Sequence, residues 1–269
     1  MIFSLLRDSQ LGKRSGDMSD LYWLTDEKMT KLAPFFPKSH GKPRVDDKRV
    51  LSGIIFINRN GLRWRDAPRE YGPHKTLYSR WKRWSEKGIF ARMAIGLAAE
   101  HGEKKTVMID ATYLKAHRTA TSLAAKKGGR GRLVGRTKGG MSTKLHAICD
   151  SQGRPLNLFV TAGQVSDYIG ARALLSSLPK VDWLLGDRGY DADWFREALQ
   201  DKGIRACIPG RKQRKTPVKY DKRRYKQRNR IEIMFGRLKD WRRVATRYDR
   251  CPKVFLSAIA LAATVIYWL

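Results

Sequence analysis

The sequence predicts an α/β protein: a mixed sheet with flanking helices, preceded by a small all-helical domain. Three observations carry that expectation. Residues 18–100 show helical periodicity, caps and stop signals without strand-like alternation. After "EHGEKK" short apolar runs take over and alternate with amphipathic stretches, in the order β-β-β-α-β-α-β-α. With 269 residues and 42% hydrophobic content, the chain can bury one large core or two modest ones.

Residues 1–17 carry no periodicity and are expected to be a flexible extension, with Met18 as an alternative start. In "WLTDEKMTKLAPFFP", Thr25 or Asp26 can cap a helix that ends near Pro34. "RVDDKRVLSGIIFINRNG" sets Val50, Ile54, Ile55 and Ile57 on one stripe, with Gly61 as its stop. "LRWRDAPREYGPHK" is a turn-rich connector, and "TLYSRWKRWSEKGIFARMAIGLAAEHG" predicts two more short helices. Within it, Tyr78, Trp81 and Trp84 alternate with Arg80, Lys82 and Arg83. That pattern suits a DNA-reading helix of the helix-turn-helix kind, and equally an amphipathic helix with its tryptophans in the core.

In the second part, residues 101–269, "TVMID", "TKLHAICD" and "PLNLFVT" are expected strands, the last two joined by the hairpin signal "DSQGR". A helix follows with Ser166 or Asp167 as cap, then the strand "VDWLLGD", the helix "DADWFREALQDKG" and the strand "IRACIP". A long basic helix is expected from about Tyr220. The final apolar run "VFLSAIALAATVIYWL" falls short of the roughly 20 residues a membrane helix needs; it suits a buried helix. Residues 118–144 are rich in Gly, Lys and Arg and predict a mobile cationic loop. Arg130, Arg132, Arg136 and Lys138 in that loop are candidate DNA contacts, and His117 and His146 flank it with either a DNA-contacting or a structural role.

The 56 Lys and Arg against 25 Asp and Glu give a formal charge of +31. Solubility of a small domain needs a net charge of only about 2–8. Such an excess attracts polyanions, and double-stranded DNA is the expected partner, without a membrane. The three cysteines are scattered and unpaired in pattern, which argues against a disulfide framework or a zinc knuckle and fits a reducing cytoplasm.

Within this cationic chain, "YKQRNRIEIMFGRLKDWRR" carries one acid, Glu232. At 100° per residue Tyr225, Arg228, Glu232 and Lys239 share a sector of about 60°. Ile231, Met234, Leu238 and Trp241 form the neighbouring stripe, which would lie on the sheet. Glu232 would then point toward the strand ends, where Asp110 and Asp187 close two apolar runs. Three carboxylates brought together repel unless a cation intervenes. Two Mg²⁺ ions, with Mn²⁺ as substitute, suit an all-oxygen donor set and in-line phosphoryl transfer. Arg228 and Lys239 could hold the DNA backbone beside them. Asp191 and Asp193 are expected to cap the following helix, and Asp150 and Asp182 to be turn or edge residues.

The spacing Tyr225-x2-Arg228-x3-Glu232-x6-Lys239 resembles the Y-x2-R-x3-E-x6-K signature of bacterial insertion-sequence DDE transposases. "VMIDATYLKAH" and "LLGDRGYDADWFR" are similar to the segments carrying that family's first two acids, and "GRTKGGMSTKLHAICD" is most like the group named for insertion sequence 5. The resemblance runs from about Leu21 to the C-terminus. It implies an RNase H-like catalytic domain and a helical domain that recognises terminal inverted repeats. It also implies Mg²⁺-dependent strand cleavage and transfer into target DNA, with Asp110, Asp187 and Glu232 as metal ligands and Tyr225, Arg228 and Lys239 positioning DNA. A homodimer or higher oligomer, working in the bacterial cytoplasm on the nucleoid, is the matching expectation. Two rival readings stay open from the residues: an RNase H-like nuclease without joining activity, and a catalytically inactive DNA-binding regulator.

Overall fold

The computed structural model describes residues 21–37, 45–100, 105–121 and 131–269. The extension at 1–17 and Arg130 lie outside these residues.

Four helices open the described chain: α1 (Asp26–Leu32), α2 (Asp47–Asn60), α3 (His74–Glu86) and α4 (Ile89–Ala99). Thr25 caps α1 through the Lys28 amide, and Asp46 caps α2 through the Lys48 amide. α2 ends at Gly61, whose φ of 69° is a left-handed conformation that a side chain would strain. The expected stripe Val50, Ile54, Ile55 and Ile57 is buried, together with Leu51. The connector between α2 and α3 is two short 3-10 turns, at 64–66 and 69–71.

The sheet is built from β1 (Thr106–Ala116), β2 (Gly135–Thr137), β3 (Gly140–Asp150), β4 (Pro155–Ala162), β5 (Trp183–Leu185), β6 (Arg205–Cys207) and β7 (Thr246–Arg247). The remaining helices are α5 (Arg118–Thr121), α6 (Asp167–Leu175), α7 (Asp193–Asp201), α8 (Lys222–Tyr225), α9 (Asn229–Lys239), α10 (Arg242–Ala245) and α11 (Pro252–Tyr267). β1 lies between antiparallel β3 and parallel β5; β4 pairs with β3, and β6 with β5. The expected "DSQGR" hairpin forms, with Gly153 at φ 79° and the Asp150 carboxylate bonded to the Gln152 and Arg154 amides.

Successive residues of β1 alternate between two cores, as the pleat requires. Val107 and Ile109 join Ile148, Leu184, Phe195 and Leu199 in a cluster under α6 and α7. Met108 and Leu114 face the other way, into a cluster that contains Ile231, Met234 and Leu238 of α9 and most of α11. That second cluster continues into Trp81, Trp84, Phe90 and Met93 of the N-terminal helices. α11 is therefore the buried helix its composition suggests, and it joins the helical region to the sheet.

Three expectations change. The cationic segment 118–144 is not a loop throughout: α5 occupies its start, and β2 with the first residues of β3 forms a hairpin at its end. Backbone pairing to Ser142 and Met141 supplies the order that its composition does not. The long basic helix begins at Lys222 and tightens into a 3-10 turn at Lys226–Arg228 before α9, with αR dihedrals kept at Tyr225 and Asn229. α7 is capped by no side chain, since its N-cap is Ala192. Asp191 and Asp193 instead bind Arg214, and Asp191 also binds Arg196. Ser166 likewise stands at the N-cap of α6 without a side-chain bond.

Candidate active site

Asp110 lies within β1 rather than at its end, because pairing with β3 carries the strand on past it. Alternation puts it on the face of Met108 and Leu114, beneath α9. Asp187 follows β5, two residues beyond Leu185; Leu185 pairs with Met108, two residues before Asp110. The two parallel strands thus deliver their acids side by side. Asp187 also caps the 3-10 turn at Arg188–Tyr190, its Oδ1 accepting from the Gly189 amide. Glu232 comes from the first turn of α9, whose neighbours Ile231, Met234, Phe235 and Leu238 are buried.

Arg228 ties two of these acids together. Its Nη1 donates to Asp110 Oδ2 at 2.8 Å, and its Nη2 is bonded to Glu232 Oε1. Burial and the fields around Asp110 do not balance. Burial raises its pKa to about 6, opposed by the Ala111 amide and Arg228 and reinforced by the nearby charge of Asp187. Burial also works against the Arg228 charge, but the fields of Asp110 and Glu232 outweigh it and raise the guanidinium further. Tyr225 stands beside this pair, with the guanidinium carbon 5.8 Å from its ring centre.

Lys239 does not reach the acids. Its Nζ donates to Thr112 Oγ1 at 2.7 Å, and desolvation lowers its pKa. Thr112 is two residues past Asp110, on the same face of β1, so this bond pins the far end of α9 to the strand that carries the first acid. Thr112 was absent from the sequence-based candidates; the period of two along β1 is the signal that would have found it.

The donor chemistry of the three acids fits a hard divalent ion, since all contribute carboxylate oxygen and no thiolate or imidazole is among them. Yet no group of three or more acids, histidines or cysteines among the described residues stands in metal-ligating geometry. Arg228 already engages one oxygen each of these acids, Asp110 Oδ2 and Glu232 Oε1, so an ion bridging those two oxygens would compete with that guanidinium.

The other candidate residues separate. Arg80 points inward and binds Asp47 at 2.6 Å, which removes it from the surface set; Trp81 and Trp84 are core residues. Lys82 and Arg83 are exposed on α3. Arg136 and Lys138 are exposed on the β2–β3 hairpin, while Arg132 is partly buried and donates to the Thr121 carbonyl at 3.4 Å. His146 is buried, stacked on Phe159 and bonded to Thr161 Oγ1, and desolvation lowers its pKa to about 4. It is a structural residue. His117 bonds Thr119 and packs on Tyr248.

Comparison with known proteins agrees with this architecture. Residues 24–94 match the model described as "Putative transposase of IS4/5 family", and residues 101–268 match "Transposase DDE domain". A Brucella ovis relative, "Putative transposase for insertion sequence element IS6501", is 37% identical over 47% of this chain and 98% of its own length. A Burkholderia cepacia relative, "Putative transposase for insertion sequence element IS402", is 27% identical over 47% of this chain and 63% of its own. The piggyBac transposase, in a cryo-EM synaptic complex, superposes with a TM-score of 0.52 at 10% identity, covering 91% of this chain and 72% of that one. The shared feature is the RNase H-like fold. Matched by the DDE domain over more than half its length, this chain belongs to the DDE transposase family.

Proposed function

We propose that this transposase cuts DNA at the terminal inverted repeats of an insertion sequence and joins the freed ends to target DNA, using Asp110, Asp187 and Glu232 as its metal-holding acids. The observation that supports the proposal is the single guanidinium of Arg228 paired with both Asp110 and Glu232, beside a β1–β5 register that carries Asp187 next to Asp110. DDE transposase domains work with divalent metal ions. Mg²⁺ as the ion, two ions as the number, and Mn²⁺ as substitute are part of the proposal. When bound, the ions supply an activated attacking oxygen and stabilise the leaving one.

The remaining work falls to the chain. Lys239, through Thr112, sets how far Glu232 stands from Asp110. The Gly189 amide fixes the Asp187 rotamer and leaves Oδ2 available. Arg228 and Tyr225, which stand beside the acids, can take a phosphate, the guanidinium in a two-bond fork. Lys82 and Arg83 on α3, with Arg132, Arg136 and Lys138 near the hairpin, extend the cationic surface for duplex DNA. Residues 18–100 would recognise the repeats and residues 101–269 would carry the chemistry. DNA is also the partner in the piggyBac complex, which holds hairpin DNA. Two element ends must be cut together, so the working unit is proposed to be a homodimer or larger. The proposed setting is the bacterial cytoplasm, at the nucleoid. No helix among the described residues is long and apolar enough to cross a membrane.

The test is an excision-and-joining assay on a plasmid carrying the gene with its flanking DNA, in Mg²⁺, with Glu232→Gln alongside. Wild type should release the element and give joined products. The variant should lose about a thousandfold or more, the several kcal/mol that metal-assisted charge stabilisation provides. Cleavage without joining would favour a plain nuclease, and full activity in Glu232→Gln would remove that residue from the site.

A further inference from the structure

We infer that Arg228 is a counter-ion latch on the acidic centre. It occupies one carboxylate oxygen each of Asp110 and Glu232, competes there with a divalent ion, and releases them when a DNA phosphate takes its guanidinium. The inference rests on the reading of the three acids as the metal-holding set.

The geometry is that of a competitor. One fork spans two acids from different elements, with Nη1 on Asp110 Oδ2 and Nη2 on Glu232 Oε1. Among the described residues no other cation is ion-paired with Asp110, Asp187 or Glu232. Lys239, the other cation on this face of α9, is committed to a hydroxyl. Three carboxylates and one guanidinium leave a deficit of positive charge, so the latch holds the acids together without satisfying them. A divalent ion seeks the same anionic oxygens as the guanidinium, and the two cations repel at so short a range, so they compete for Asp110 Oδ2 and Glu232 Oε1.

The Arg228 guanidinium ends a flexible side chain that is 16% exposed, four residues before Glu232 on the same helical face. The Glu232 side chain is 56% exposed, so the Glu232 end of the fork opens to solvent. A phosphodiester arriving there offers the same fork two oxygens of like charge. The bond to Asp110 and Glu232 is then exchanged for one to DNA, and the freed oxygens accept the ion. By reciprocity, whatever factor DNA adds to metal affinity, metal adds to DNA affinity. The protein is thereby kept from arming itself away from DNA.

The test measures metal binding without DNA. Full-length wild type, Arg228→Gln and Arg228→Lys are titrated with Mn²⁺, and bound ion is read from the loss of the free-Mn²⁺ paramagnetic resonance signal. Asp187→Asn is added to the wild-type and Arg228→Gln backgrounds. The latch predicts that Arg228→Gln binds Mn²⁺ at least tenfold tighter than wild type. Arg228→Lys, which can reach one acid at a time and keeps the charge if the Gln variant folds poorly, should fall between. Equal or weaker binding in both variants would overturn the latch. If Asp187→Asn leaves Mn²⁺ binding unchanged in both backgrounds, the metal-holding reading itself fails, a result separable from the first.

Discussion

Asp110 is half-buried and Asp191 buried, both bound to arginine, yet burial lifts the pKa of Asp110 to about 6 while that of Asp191 is held below its ordinary value. The difference is in what surrounds each one. Burial would raise Asp191 too, but the Arg211 amide at 2.7 Å, Arg196 at 2.8 Å and Arg214 at 3.0 Å outweigh it. Asp110 has the Ala111 amide and one arginine, which it shares with Glu232, and it feels the charge of Asp187. The first cluster gives its buried acid three donors on its two oxygens, two of them guanidinium groups. The second has more acid than cation. A carboxylate held by three donors builds structure; one that shares its arginine with a second acid is the kind of group that functional sites contain.

The contrast should appear first in stability. Removing the carboxylate in Asp191→Ala takes from Arg196 and Arg214 the acid they share, leaving them the Ile208 carbonyl and Asp193, and up to about 3 kcal/mol should be lost by urea denaturation at neutral pH. The loss should shrink as pH falls through the lowered Asp191 pKa, since protonation already removes the interaction in wild type. Little change would mean that Asp193 and the Ile208 carbonyl satisfy the two arginines without Asp191.

Asp110 should behave in the opposite sense. Its raised pKa makes the folded state bind the proton more tightly, so its contribution is greatest below about pH 4 and is lost as pH rises through 6. Asp110→Asn should therefore stabilise the metal-free, DNA-free protein at pH 7.5 by up to about 3 kcal/mol, with no gain near pH 4. A destabilised Asp110→Asn at pH 7.5 would show that the ion pair with Arg228 outweighs burial. The smallest effect should fall outside both clusters. Lys82→Ala or Arg83→Ala should weaken duplex binding a few-fold, reduce the salt slope by about 1, and leave stability unaffected.

Much of the fold is legible because its signals are local. Thr25, Gly61 and the alternating faces of β1 act on residues within a turn or two, and the order of strands and helices follows from them. The length of β1 was not legible. "ATYLKA" continues the strand to Ala116 because β3 pairs with it as far as Lys115, a partner some thirty residues on. The capping roles expected of Asp191 and Asp193 failed for a similar reason. Arg214, more than 20 residues later, took both carboxylates. Arg80 shows the same limit, since its alternation with tryptophan fits a surface reader or a core helix, and Asp47, 33 residues earlier, decides the matter.

The sequence by itself determined the candidate acids, their phase on the final basic helix and the cationic excess that points to DNA. These depend on residue type and on the 3.6 and 2.0 periods of the backbone. Only the tertiary structure decided which charge meets which. Arg228 and Asp110 are 118 residues apart, and Lys239 and Thr112 are 127 apart. Coulomb energy and hydrogen bonding act over a few ångströms of space, which local periodicity does not encode. Folding α9 onto β1 created those distances, and with them the single arginine between two acids.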